Sequence, residues 1–423
     1  MKLFSEQVVL TQDSGELEVV PALIEIEGDR ILSVDRGAEA RAKRSFSDVE
    51  DLGEKLLSPA FVNAHTHLAL SALRGVGSAD RMRGNVVEQL FFRVESKLEP
   101  EDIRAFVRMG AYEALLSGTG TVWEHYYGGE QVAQGLRDVG ITGVIAPTLQ
   151  DLSGPGVPQL DEQLQATEAL CSTKWLNQGI AAALGPHATD TVSDRLWEQV
   201  REWRDRLQIP VHAHVAQSIE ETQRSFAQHN CAPLTRLNRL GLLGSEQVFL
   251  IVHALFVSAE ELDQLDPRFD VLGHCPYSQA QFAFPAPLSS WVNRGLSVAV
   301  GTDCGACNDS MNVQQELRLI SGGPGLSGTW SIQRDAAESE GSLAGFEALQ
   351  NKRVGTYDLT ADSLTTDRLL SWVWQEAGRM HPQLPVGQIA PGHLANLVLW
   401  DLNHPATWPA PLPLRSIAMS DAT

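Results

Sequence analysis

Residues 56–70 have the sequence LLSPAFVNAHTHLAL, an apolar run that ends in two histidines separated by one residue. The length and composition of the run predict a buried β-strand. Because side chains two residues apart on a strand point to the same face, His65 and His67 can both reach one metal ion. An isolated His-x-His would be better explained as two hydrogen-bonded structural histidines. The metal-ligand interpretation is supported here only because similar residues end other apolar runs later in the chain.

Later apolar runs end in the same kind of residue. They are IPVHAHVAQ (His212, His214), FLIVHALF (His253), VLGHCPYS (His274) and LSVAVGTDCGA (Asp303). Each follows a helix-like segment, and strands that alternate with helices predict a parallel sheet with right-handed crossovers. Eight strand candidates follow residue 60, the number that a closed barrel needs. The predicted fold class is therefore α/β, a (β/α)8 TIM barrel with its site at the C-terminal ends of the strands.

Composition excludes several classes of partner. The chain has 423 residues and a net charge of −21, which argues against nucleic acid or an anionic membrane surface as a partner. The first 15 residues lack an apolar signal region and no run approaches 18 apolar residues, so we expect neither a signal peptide nor a membrane span. Five thinly spread cysteines indicate reduced thiols and a cytoplasmic location. We interpret Cys304 and Cys307 as two thiols rather than metal ligands, because no second C-x-x-C is present.

The order of NAHTHL, His-x-His, His and GTD resembles the amidohydrolase superfamily. Within it, the chain is most similar to the branch of the cytosine-, adenosine- and guanine-type deaminases and the triazine chlorohydrolases, from about residue 20 to about residue 400. Residues 1–57 and 387–405 have the alternating pattern of short strands. The resemblance implies that residues 1–57 and 365–423 form a small β-sandwich domain, and that residues 58–364 form a metal-dependent TIM-barrel domain.

The resemblance also implies a ligand set of His65, His67, His214 and Asp303 for one divalent metal, zinc or else iron. His212 and His214 face the same side of their strand, and only the family pattern His-x-His-x-x-Glu selects His214 as the ligand. His212 is then an inner packing residue. A dinuclear site would need a lysine at the end of the fourth strand, and LGPHATD has none.

The remaining candidates surround this ligand set. By resemblance, Asp303 also moves the proton of the water, and His253 polarises that water or binds the oxyanion. The alternative for His253 is a buried histidine held by one hydrogen bond. The resemblance assigns substrate contacts to His187, His125, Gln217 and Ser278, although relatives show methionine where this chain has His125.

Gln217 is the departure that matters most. Relatives place a glutamate at this position to protonate the substrate ring, and a glutamine can donate a hydrogen bond but cannot relay a proton. Glu220 or Glu221 could substitute, but we favour the interpretation that both lie on the solvated face of the next helix. By the same resemblance, differences at residues 276–282 and 77–86 further indicate a rebuilt substrate pocket.

The sequence thus predicts a metal-dependent hydrolase, an aminohydrolase that acts on a C–N bond of a small nitrogen heterocycle by attack of metal-bound hydroxide. One alternative is hydrolytic removal of a chloride or amine from a ring, or opening of a cyclic amide. Another is a metal-bearing binding protein without turnover. A small molecule is the expected partner, and the sequence does not decide whether the protein forms a homo-oligomer. Residues 74–86 and 321–345 are candidates for a lid over the site.

Overall fold

The computed structural model describes residues 1–76, 85–281, 286–322 and 364–421. The strands are β1 (Lys2–Thr11), β2 (Leu17–Glu27), β3 (Arg30–Arg36), β4 (Val49–Asp51), β5 (Leu56–Pro59), β6 (Phe61–His67), β7 (Thr119–Tyr126), β8 (Thr142–Leu149), β9 (Ile180–Ala182), β10 (Gly185–Pro186), β11 (Val211–Val215), β12 (Phe249–His253), β13 (Asp270–His274), β14 (Ser297–Val300), β15 (Asp303–Cys304) and β16 (Leu397–Trp400). The α-helices are α1 (Gly37–Lys43), α2 (Phe92–Glu95), α3 (Pro100–Leu116), α4 (Gly129–Val139), α5 (Leu160–Leu170), α6 (Thr173–Leu176), α7 (Asp194–Leu207), α8 (Ile219–His229), α9 (Pro233–Arg239), α10 (Ala259–Leu262), α11 (Pro276–Gln281), α12 (Leu288–Asn293), α13 (Gly305–Asn308), α14 (Val313–Gly322), α15 (Thr366–Val373), α16 (Gln375–Gly378) and α17 (Pro413–Met419).

The two ends of the chain meet in one sheet. Its strand order is β16-β5-β1-β2-β3, with β4 beside β1. Strands β1, β2 and β3 form an antiparallel meander, and β16 runs antiparallel to β5, with Leu397 opposite Pro59. The meeting of the two ends agrees with the sequence prediction. The described part of the chain gives these ends a single sheet, so the sandwich itself stays a prediction.

The rest of the fold is built on parallel strands. One sheet has the order β10-β8-β7-β6-β15 with β9 beside β8, and a second has the order β11-β12-β13-β14. Parallel bridges from Leu184 to Val211 and from Ala188 to His214 connect the two sheets. All eight strands predicted after residue 60 are present, the fourth divided into β9 and β10 and the last into β14 and β15. The predicted α/β class is therefore confirmed.

The helices begin and end where the sequence provides signals. In α3, Pro100 occupies the first turn, Glu99 and Asp102 form a capping box, and Gly118 follows the helix at φ +81°. Helix α7 begins after Ser193, whose hydroxyl accepts a hydrogen bond from the backbone N–H of Leu196. No helix in the described ranges is long and apolar enough to cross a membrane.

Some predicted segments cannot be compared with the structure. Most of the first lid candidate (77–84 of 74–86) and of the second (323–345 of 321–345) lies outside the described residues. The sequence also predicts helices at about residues 346–379 that pack outside the barrel, and residues 346–363 of that stretch lie outside the described residues.

Candidate metal centre

The four predicted metal ligands come together at the C-terminal ends of β6 and β11 and at the first residue of β15. Strand β6 carries His65 and His67, β11 carries His214, and β15 carries Asp303. The Nε2 atoms of His67 and His214 are 3.2 Å apart. Oδ1 of Asp303 lies 3.6 Å from Nε2 of His65 and 3.6 Å from Nε2 of His67. Side chains far apart in the sequence thus converge on one point.

The donor atoms fit a divalent metal ion. The Nδ1 atoms of His67 and His214 are hydrogen-bonded to the carbonyl oxygens of His125 (2.6 Å) and His187 (2.7 Å), which leaves both Nε2 atoms directed at the cluster. Nε2 of His65 is buried and has no hydrogen-bond partner among the described residues. The potential ligand atoms of His65, His67 and His214 all lie within 4.8 Å of one another. Three imidazoles and a carboxylate are a common ligand set for zinc.

Burial keeps the imidazoles neutral. It lowers the pKa of His65 to about 3, and it lowers the pKa values of His67 and His214 from their usual range. A neutral imidazole has one nitrogen lone pair available for a metal. The histidines are therefore in the protonation state that coordination requires at neutral pH.

Asp303 is ionised and held in place. Burial alone would raise its pKa, but the neighbouring His65, His253 and His67 outweigh burial and bring the pKa below its usual value. Ser278 donates a hydrogen bond to Oδ2 of Asp303 (2.7 Å), and Nε2 of His253 lies 3.9 Å from the same oxygen. One carboxylate oxygen thus faces the histidine cluster while the other is held by Ser278 beside His253.

The backbone at the cluster is strained. Asp303 has φ +64° and His253 has φ +73°, both in the left-handed region that side chains other than glycine rarely adopt. Each such residue costs of order 1–3 kcal/mol and persists only where surrounding structure holds it, often at functional sites. Nothing in the sequence indicated this conformation at either position.

The metal cluster opens onto a cavity of about 220 Å³. The four predicted substrate contacts, His125, His187, Gln217 and Ser278, all line it, as does His253. Apolar and acidic side chains also form part of the wall, among them Leu70, Phe91, Phe92, Leu255, Glu88, Glu95, Asp190 and Glu220. Among the described residues that line the cavity there is no lysine or arginine, so this part of the wall offers a negatively charged substrate no basic side chain.

His125 adds an imidazole to the cavity wall at a position where the family resemblance implies methionine. Its Nδ1 atom lies 3.1 Å from the hydroxyl of Thr148. Its Nε2 atom is buried without a hydrogen-bond partner in the described ranges. The ring centre is 5.0 Å from that of His214 and 6.0 Å from that of His187. His125 is thus placed to contact a ligand that sits beside the cluster.

Glu221 corrects one prediction. It is fully buried, so its assignment to a solvated helix face is wrong. Its carboxylate accepts hydrogen bonds from the backbone N–H groups of Ala216 (3.0 Å) and Gln217 (2.7 Å) and contacts the hydroxyl of Thr189. Glu221 therefore holds the turn that presents Gln217. The Ser-x-x-Glu spacing from Ser218, a helix-capping pattern, was the available signal.

Glu124 was missed by the sequence analysis. It lies fully buried on β7 and accepts a hydrogen bond from the backbone N–H of Leu68 (2.8 Å), next to His67. Burial raises its pKa to about 8. A charged residue within the otherwise apolar strand preceding His125 was the signal. Glu124 thus links β7 to the segment that carries two of the metal ligands.

The cysteine prediction also needs correction. The structure joins Cys304 and Cys307 in a disulfide, with Cα atoms 5.4 Å apart, so the prediction of two reduced thiols at these positions is wrong. Cys171, Cys231 and Cys275 are free. The close contact follows from the C-x-x-C spacing on one short helical turn beside Asp303.

Parallel strands that deliver three histidines and an aspartate into one cavity define a metal-dependent hydrolase. Residues 56–325 match the Amidohydrolase family, and the chain belongs to this family. A 5-methylthioadenosine/S-adenosylhomocysteine deaminase of Thermoanaerobacter pseudethanolicus is 30% identical over 302 residues, which cover 70% of this chain and 68% of the relative. The protein is therefore a metal-dependent hydrolase of this family.

Solved structures share the fold. A zinc-bound adenosine deaminase from Xanthomonas campestris matches with a TM-score of 0.80 and 24% identity, over 99% of this chain and 88% of the other. The atrazine chlorohydrolase of Arthrobacter aurescens, complexed with zinc, matches with a TM-score of 0.77 and 19% identity, over 99% of this chain and 92% of the other. At these identities the likeness establishes the fold alone.

Proposed function

We propose that this protein is a zinc-dependent aminohydrolase that releases ammonia from an amino group on a small, uncharged or cationic nitrogen heterocycle. The observation that carries the proposal is the convergence of His65, His67, His214 and Asp303 at a cavity without basic side chains in its described wall. The deaminases among the relatives, which act on adenosine derivatives by name, make an adenine-like ring the first candidate substrate.

We further propose that the eight parallel strands close into a TIM barrel. The pairing of β15 with β6 and the two bridges between the parallel sheets support closure. On this proposal residues 58–364 form the catalytic domain, and residues 1–57 and 365–423 form the accessory β-sandwich domain.

When bound, the metal ion would supply the hydrolytic nucleophile by acidifying water at neutral pH. The side chains around it divide the remaining work. Asp303, held by Ser278, takes the proton and passes it to the departing nitrogen. His253 donates a hydrogen bond to the oxygen on which charge develops. Gln217 donates its amide N–H to a ring nitrogen of the substrate, and His125 and His187 contact the ring from the other strands.

A second candidate is hydrolytic displacement of another ring substituent, such as chloride or an alkylamine. Gln217 favours this candidate because these leaving groups depend less on protonation of the ring than ammonia does. The same metal ligands and Asp303 would serve both reactions.

The test is metal content followed by product analysis. Elemental analysis of the purified protein should give close to one zinc per chain. Aminopurine nucleosides, guanine and chlorinated or aminated triazines are then assayed for ammonia, chloride and amine release, with Asp303→Asn as the folded, inactive control. Ammonia release that the control lacks supports the proposal, and chloride or alkylamine release supports the second candidate. Absence of metal, or activity equal to that of the control, would contradict both.

A further inference from the structure

The ligand His65 differs from the other two histidines in what holds its Nδ1 atom. His67 and His214 each meet a backbone carbonyl oxygen there, whereas Nδ1 of His65 lies 2.7 Å from Nε2 of His212. A carbonyl oxygen only accepts, so it forces the proton of its partner onto Nδ1. An imidazole can donate or accept, so the tautomer of His65 depends on that of His212.

Metal binding selects one of the two tautomer pairs. If His65 is to offer the lone pair of Nε2, its proton must be on Nδ1 and be donated to Nε2 of His212. The proton of His212 must then be on its own Nδ1 atom. That atom is buried and has no hydrogen-bond partner in the described part of the chain. A buried N–H without a hydrogen-bond partner destabilises the folded state. Such unsatisfied groups are few in native proteins, and a functional role is one explanation for them.

The ring of His212 is held rigidly enough to act as an acceptor. Its backbone N–H donates to the carbonyl oxygen of Leu184 (2.8 Å), and its strand pairs along β12. The ring is 0% exposed and packs edge-on against three neighbours. Their ring centres lie at 5.0 Å (His65), 5.3 Å (His125) and 6.0 Å (Trp123). Packing alone, the role expected from the sequence, therefore does not describe this residue.

We propose that His212 is a positioning residue that fixes the tautomer and the orientation of His65 for metal binding. This inference rests on the proposed metal site. His212 performs for His65 what backbone carbonyl oxygens perform for His67 and His214. Loss of such a hydrogen-bond partner behind a metal ligand typically weakens metal affinity by about 10–100-fold.

The experiment compares zinc affinities by competition with a chromogenic chelator. His212→Phe fills the site but removes the acceptor, and should weaken zinc binding by about 10–100-fold. His212→Gln keeps an acceptor at a similar distance from the backbone and should stay much closer to the wild-type affinity. His381→Phe is the matched control. His381 is also buried and packs 6.4 Å from Trp123, but it is hydrogen-bonded to the carbonyl oxygen of Ala182 and should not affect zinc affinity when replaced.

The outcomes are distinguishable. Zinc binding by wild type and by His212→Phe with equal affinity overturns the inference and leaves the proposed function standing. A wild-type protein that does not bind zinc overturns the proposed function, and the inference with it. If His212→Phe does not fold, His212→Asn replaces it. Its amide is one methylene too short to reach His65, so it should show the same loss relative to His212→Gln, and equal affinities of these two variants would overturn the inference.

Discussion

Glu124 should tolerate replacement by glutamine but not by alanine. Its raised pKa, about 8, means that the side chain is protonated at pH 7. Its carboxyl group accepts hydrogen bonds from the hydroxyl of Thr66 (2.5 Å) and from the backbone N–H of Leu68 (2.8 Å), and the same hydroxyl lies 3.1 Å from the carbonyl oxygen of Trp123. A glutamine amide can reproduce both of the Glu124 contacts. Glu124→Gln should therefore change the free energy of unfolding by less than about 1 kcal/mol.

Glu124→Ala removes both contacts. The buried N–H of Leu68 loses its acceptor, which costs about 1–3 kcal/mol, and the vacated space adds about 1–2 kcal/mol. We expect a total loss of about 2–5 kcal/mol in urea unfolding at pH 7, together with weaker zinc binding, because Leu68 follows the ligand His67. If Glu124→Gln lost as much stability as Glu124→Ala, the carboxyl group would be ionised in the folded protein and the reasoning would be refuted.

Three further predictions concern the site and its support. Asp303→Asn should lower turnover by about 10²–10⁴-fold with little change in circular dichroism, since it removes the proton acceptor; near-normal turnover would exclude this role. Burial raises the pKa of Glu221 from 4.5 to about 7, so the folded state binds the Glu221 proton more tightly than the unfolded state does. The free energy of unfolding therefore falls as the pH rises from 4.5 to 7. Unfolding of Glu221→Gln between pH 5 and 7 should accordingly show a weaker loss of stability than wild type, by up to about 3 kcal/mol, and parallel curves would contradict the shift. Ser278→Ala should weaken the orientation of Asp303 and reduce kcat more than it changes KM, which steady-state kinetics on the identified substrate would measure.

The sequence predicted what depends on local pattern. Apolar runs that end in histidine or aspartate located the strands and the edge where candidate ligands meet, because the C-terminal ends of parallel strands share one edge of a sheet. The choice of His214 over His212 as a ligand came from the family resemblance. It could not predict what depends on tertiary contact. The spacing of Ser218 and Glu221 signals the start of a helix, but the burial of the Glu221 side chain depends on how α8 packs. The left-handed backbone at Asp303 likewise has no local signal, since its neighbours and not its own preference impose it.

Gln217 depends on both local sequence and tertiary contact. Its backbone N–H is held by the carboxylate of Glu221, and its side chain lines the cavity, so the turn is positioned independently of the residue at 217. Replacing Gln217 by glutamate should therefore keep the geometry while it restores a proton donor. If ring protonation limits the reaction on aminopurines, Gln217→Glu should increase kcat for ammonia release by about 10²-fold or more, while displacement of chloride from a triazine changes little. Equal effects on both substrates, or none, would show that the side chain at position 217 only orients the ring.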